Sequence, residues 1–237
     1  MNLFIANWKM HKTRAEARAF AETLGRELSR GRGAGEIVVA PPLTLLDQAA
    51  DPAGRWSLGC QNVSADTEGA HTGEVSARQC FDAGARWAIV GHSERRRELG
   101  EGEPLLAQKL ARCREAGLTP VYCVGETAEE REAGQTDAVL EREAAALSAD
   151  PSGAPLVVAY EPIWAIGVGR SASPEDARSA RAAILRLLAG RSALRVLYGG
   201  SVTSGNARSL LDGSGMDGFL IGGASLVAEE FAAIARA

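Results

Sequence analysis

Lysine is scarce in this sequence. Among 237 residues, 26 are basic, and only Lys9, Lys12 and Lys109 are lysines; the other 23 are arginines. With 30 acidic residues the net charge is −4, which argues against nucleic acid as the main partner, because domains of that kind are strongly basic. The four cysteines (Cys60, Cys80, Cys113, Cys123) are far apart and form no C-x-x-C pair. Neither a disulfide scaffold nor a metal site is expected, and a reducing cytoplasm fits. No stretch approaches the roughly 18 unbroken apolar residues of a membrane helix, so no membrane partner is expected. The start, Met1 to Lys9, carries no basic leader before its short apolar run, which predicts no signal peptide. What is present is an ordinary globular mixture, 46% hydrophobic and 24% charged, and this excludes disorder. No linker divides the chain, and the glycine-rich 31–35 stretch reads as a single loop. One domain over 1–237 is expected.

Short β-rich runs alternate with longer amphipathic ones. Strands are predicted at Leu3–Trp8, Glu36–Ala40, Trp56–Gln61, Trp87–Gly91, Leu118–Val124, Leu156–Glu161, Leu194–Tyr198 and Gly218–Ile221. Several are almost wholly apolar, as strands covered on both faces must be. Thr13 and Glu16 form a capping box ahead of Ala17, Phe20, Leu24 and Leu28 at helical spacing. Ser173-Pro174-Glu175-Asp176 opens another helix, with Ile184, Leu187 and Leu188 on its apolar face, and Ala224 to Ala235 reads as the last. Regular alternation of this kind implies parallel strands with right-handed crossovers. Eight such units point to a closed (β/α)8 barrel with an outer ring of helices, ahead of a doubly wound open sheet.

In such a barrel function gathers where strands end. Five predicted strand ends deliver chemistry: Asn7-Trp8-Lys9, His92, Glu161, Gly199-Gly200-Ser201 and Gly222-Gly223. Each glycine pair precedes a helical segment and lets backbone N–H groups approach an anion, so the pairs suggest a phosphate site. Glu161 enters an apolar loop with stiff Pro162-Ile163-Trp164 and pliant Gly167-Val168-Gly169. A lid there excludes water and leaves the carboxylate less solvated, hence more basic, which suits proton abstraction beside a carbonyl. His92 precedes a short helix whose dipole disfavours the imidazolium and keeps the ring a neutral donor. Asn7 and Lys9 alternate with Trp8 and point to one side, offering a donor and a cation to an oxyanion. In a chain so rich in arginine, a lysine needed only for charge could have been Arg. A compact ammonium reaches an oxyanion at Lys9 where a planar guanidinium misplaces its charge. With no metal-ligand set and no nucleotide fingerprint, the set points to cofactor-free proton transfer through an enediolate. Another phosphosugar isomerase or epimerase on the same barrel, and a silent phosphate-binding barrel, are the other readings.

Ala6–Met10, Gln61–Ser64, Gly69–Glu74, Val90–Arg96, Cys123–Thr127, Ala159–Gly167, Tyr198–Val202 and Gly222–Leu226 together resemble the triosephosphate isomerase family, motif by motif and in order. The resemblance implies a TIM barrel that needs no cofactor and interconverts glycerone phosphate and D-glyceraldehyde 3-phosphate. It implies Glu161 as base, His92 as electrophile, Asn7 and Lys9 beside the oxyanion, and Glu94 as a supporting carboxylate. Gly167, Ser201, Gly222 and Gly223 would hold the phosphate, and Pro162–Trp164 and Arg170–Ala172 would hinge the lid. A homodimer, or a tetramer, would form through the 61–74 loop, with Thr72 and Arg95 supporting the interface. The chain departs from the family pattern at Val168, Arg170 and Ser171 in the lid, at His71 in the loop and at Gly102.

Overall fold

The computed structural model describes residues 1–30, 35–150, 153–166, 171–191 and 193–237, so the 31–35 loop, apart from Gly35, lies outside the described residues. The first half runs β1 (Leu3–Asn7), α1 (Arg14–Arg30), β2 (Glu36–Ala40), α2 (Leu46–Ala49), β3 (Ser57–Cys60), α3 (Ala77–Asp82), β4 (Ala85–Val90), α4 (Ser93–Leu99) and α5 (Glu103–Ala116). The second runs β5 (Thr119–Val124), α6 (Ala128–Glu132), α7 (Thr136–Ala144), β6 (Leu156–Tyr160), α8 (Pro174–Leu187), β7 (Leu194–Tyr198), α9 (Ala207–Ser214), β8 (Gly218–Ile221) and α10 (Ala228–Ile234). Each strand lies parallel to the next, and β8 pairs with β1 to close the barrel. The closed barrel excludes the open-sheet alternative.

Strand alternation explains the core and the rim together. On β1, Leu3 and Ile5 belong to the cluster inside the barrel, while Phe4 and Ala6 join the layer between strands and helices. The same parity puts Trp87 and Ile89 of β4, Val157 and Ala159 of β6, Leu197 of β7 and Leu220 of β8 inside. One step further along each strand, the inward positions are Asn7, Gly91, Glu161, Gly199 and Gly222.

Helix starts follow local chemistry. Thr13 and Glu16 form the expected box before α1, and Ser173 with Asp176 does the same for α8. Two further boxes, Ser76 with Gln79 and Thr127 with Glu130, open α3 and α6. Gly102 caps α5 without a side-chain hydrogen bond. Two expectations are corrected. Leu187 is 38% exposed; α8 instead buries Ala177, Ala180, Ala183 and Ile184, because small residues let the helix approach the barrel. The predicted final helix is broken at extended Val227 into a 3-10 turn (Gly223–Leu226) and α10.

Lys109 is nearly buried on α5 and donates to Glu101 at 2.5 Å and to Asn62 Oδ1 at 2.7 Å, tying down the base of the 61–74 loop. Burial opposes ionisation of Glu101, but hydrogen bonds from Lys109 and Arg95 outweigh it and hold the carboxyl below its ordinary 4.5. A carboxyl depressed in this way lends stability that is present above its unfolded value and lost as pH falls through the folded one. The unfolding midpoint is therefore expected to drop as pH is lowered below 4.5, and Glu101→Gln should flatten that acid limb. Thermal melts of both proteins across acidic pH check it; an equally steep limb in the variant refutes it.

Candidate active site

The inward rim positions surround a cavity of about 490 Å3 lined by Asn7, Lys9, His92, Glu161, Ser201, Gly222 and Gly223, among others. Residues from β1, β4, β6, β7 and β8 thus meet although they are spread over the whole chain. Gly167, Val168 and Arg170 lie outside the described residues.

Glu161 is 1% exposed, and its two oxygens are treated differently. Oε2 accepts the Ser93 backbone N–H at 2.8 Å. Oε1 is buried without a hydrogen-bond partner among the described residues and lies 3.1 Å from His92 Nε2. A methyl group on Gly199 would stand 2.9 Å from Glu161 Cγ, so glycine there gives the side chain its room. His92 is the N-cap of α4, and its Nδ1 accepts the Glu94 backbone N–H at 3.2 Å. That bond leaves Nδ1 bare and puts the proton of a neutral ring on Nε2, the nitrogen 3.1 Å from Glu161 Oε1.

Lys9 Nζ contacts Glu94 Oε1 at 2.6 Å. Burial opposes ionisation of Glu94, but the Lys9 hydrogen bond and the neighbouring Lys9 and Arg97 charges hold its carboxyl below the usual value. Glu94 uses one of the ammonium's three donors. Lys9 has φ +51°, a left-handed conformation that disfavours side chains. It is held by neighbours: Asn7 Oδ1 accepts the Lys9 N–H at 3.1 Å, and Gln61 Nε2 donates to Lys9 O and Ala40 O, each at 2.9 Å. Asn7 is thereby left with its NH2 group for the cavity.

The two glycine pairs differ. Gly222-Gly223 opens directly onto the 3-10 turn Gly223–Leu226, whereas a turn separates Gly199-Gly200-Ser201 from α9. Ser201 Oγ donates to Ala165 O at 2.8 Å. On one side of 167–170, Tyr160 Oη and Trp164 Nε1 both donate to buried Glu126 Oε1 at 2.9 Å; on the other, Ala172 N–H donates to Tyr198 Oη at 2.9 Å. Burial pushes the Tyr198 hydroxyl up to about 12, so it stays a neutral partner.

Thr72 is exposed on its loop, and Arg95 turns to Glu101 at 2.8 Å; neither lines the cavity. His71, at one departure from the family pattern, is exposed 3.6 Å from Asp66. Sequence reasoning missed the Ser93 amide, which has no side-chain signature, and the roles of Gln61, Glu126 and Tyr198. These last three stand inside the quoted motifs, but their partners are remote in sequence. Gln61→Leu removes the bonds to Lys9 O and Ala40 O and is expected to lower kcat about tenfold. Steady-state assays check it, and unchanged kcat refutes it.

The family model for triosephosphate isomerase matches residues 2–237. The chain is 44% identical to the triosephosphate isomerase of Thermus thermophilus, covering 99% of this chain and 97% of that one. It is 46% identical to that of Xanthomonas campestris pv. campestris (98% and 95% covered) and 46% to that of Bordetella pertussis (99% and 96% covered). Agreement of this extent, running through all eight strand–helix units, means that the chain belongs to the triosephosphate isomerase family.

Proposed function

We infer that this chain is a triosephosphate isomerase, interconverting glycerone phosphate and D-glyceraldehyde 3-phosphate in glycolysis and gluconeogenesis. The observation that carries the mechanism is the buried, unpartnered Glu161 Oε1 beside His92 Nε2. Glu161 takes a proton from C1 of glycerone phosphate, and the C–H electron pair moves into an enediolate. His92 Nε2–H and the Asn7 amide donate to its oxygens. The Lys9 ammonium, steadied by Glu94, balances the developing charge. Return of the proton to C2, with the hydroxyl proton moved between the two oxygens, gives the aldehyde. Gly222, Gly223 and Ser201 at one end of the cavity, with Gly167, hold the phosphate through backbone amides. Pro162–Trp164 and Arg170–Ala172 hinge the lid between them, and Glu126 and Tyr198 set its two ends.

Residues 1–237 are read as one barrel domain, resident in the cytoplasm. Among the described residues no helix is long and apolar enough to cross a membrane. The homodimer reading is supported by a second groove of about 520 Å3 beside the site, lined in part by Lys9, Gln61, Arg95, Met10 and Leu99. Met10 is 94% exposed and Leu99 62%, an apolar cost that the partner's 61–74 loop would relieve. Thr72 then approaches the neighbouring site, and Arg95 supports the contact.

In an isomerase assay Glu161→Asp is expected to lose about a hundredfold or more in kcat, since the carboxylate retreats by about 1 Å. Full activity in the variant refutes the base, and an inactive parent refutes the function. Lys9→Arg keeps the charge and should also lose most activity; a fully active variant refutes the need for an ammonium. Light scattering is expected to give at least a dimer, and a stable, active monomer refutes that assembly.

A further inference from the structure

Arg96 on α4 sits behind the rim, out of the cavity, with a side chain 13% exposed. All three of its nitrogens have acceptors. Nε donates to Gly91 O at 2.9 Å, one terminal nitrogen to both oxygens of Glu103 at 2.9 and 3.2 Å, and the other to Tyr122 Oη and Cys123 O, each at 3.1 Å. This use of the whole fork is what a guanidinium can do and an ammonium cannot. Gly91 has φ +74°, and a methyl group there would stand 3.2 Å from the guanidinium, so glycine allows both the turn into His92 and the close approach of Arg96.

The contacts continue toward the base. Tyr122 Oη donates to the Glu143 backbone carbonyl at 2.8 Å, and Glu143 Oε2 accepts the Gly125 N–H at 2.9 Å. Gly125 lies in the segment that accepts hydrogen bonds from the residues around the base: Glu161 N–H donates to Val124 O at 2.7 Å and Ile163 N–H to Glu126 O at 3.1 Å. Burial raises the Glu143 carboxyl above its usual range, with the Arg96 charge as the main opposing influence. Burial likewise works against the Arg96 charge, but Glu143, Tyr122 and Glu103 outweigh it.

We propose that Arg96, Tyr122 and Glu143 are positioning residues that set the spacing between His92 and Glu161, by joining the Gly91 carbonyl to the 124–126 segment beneath the base. The inference rests on reading His92 and Glu161 as electrophile and base. A chain of contacts that began and ended elsewhere in the barrel would be a brace. This one begins one residue before His92 and ends on the backbone partners of Glu161, where an error of about 1 Å can cost a hundredfold in rate.

Tyr122→Phe keeps the ring and deletes the hydroxyl that links Arg96 to Glu143. Its kcat for glycerone phosphate is expected to fall about tenfold, with KM and competitive inhibition by inorganic phosphate within about twofold of the parent. The rate loss should shrink to about twofold when the change is made in Glu161→Asp, whose geometry is already lost. An unchanged kcat with a lowered unfolding midpoint overturns the inference and leaves a brace. A full loss repeated in the Glu161→Asp background overturns this inference alone. Full activity in Glu161→Asp by itself overturns the base assignment, and this inference with it. If Tyr122→Phe does not fold, Glu143 gives the same reading. Glu143→Gln keeps an acceptor for Gly125 and should stay within about threefold in kcat, while Glu143→Ala loses about tenfold; equal losses in the two refute the positioning role.

Discussion

The rim is organised around Glu161, the carboxylate read as the base, which the fold withdraws almost wholly from water. One oxygen is fixed by a backbone amide, so it cannot rotate away. The other is buried and left without a hydrogen bond among the described residues. His92 Nε2 lies 3.1 Å from it. Closure of the parallel barrel supplies the setting, because it aligns the strand ends at one rim and places β6 beside the glycine that ends β7.

The cationic side of the cavity depends on a strained arrangement. Lys9 takes a left-handed backbone that its side chain disfavours, and Asn7 at the end of β1 and Gln61 just past β3 hold it there. The ammonium is then delivered to the cavity while Glu94 keeps it from swinging freely. The other two lysines also have places. Lys12 donates to Leu226 O at 2.7 Å and lies over the rings of Trp8 and Phe20, joining the β1–α1 loop to the 3-10 turn after Gly222. Lys109 ties the base of the 61–74 loop to α5. Lysine scarcity thus marks three anchoring points, of which one reaches the cavity.

Much of the fold was legible in the sequence because its signals are local. Short apolar runs such as Leu156–Tyr160, rich in β-branched residues, suit strands covered on both faces, and the boxes at Thr13 and Ser173 satisfy amides within three residues. Strand parity also made the inward side of Asn7 readable, whereas Lys9 lies past the end of β1 on a left-handed backbone that alternation along a strand does not describe. The face of α8 was misread at Leu187, since the pattern shows which residues are apolar but not that alanines pack closer to a barrel. The last helix was misread because its break at Val227 belongs to the rim beside Gly222-Gly223, a tertiary demand on a locally helical sequence.

The sequence by itself determined the order of strands and helices, the inward parity at the strand ends and the kinds of side chain delivered there, since these depend on spacing and neighbours along the chain. Tertiary structure alone decided which atoms meet: the Ser93 amide on Glu161 across 68 positions, the Gln61 amide on Lys9 across 52, and the guanidinium of Arg96 between β4 and β5. The physical reason is that a hydrogen bond is set by direction and distances of a few tenths of an ångström. Those are fixed when the barrel closes and the packed core removes the remaining freedom.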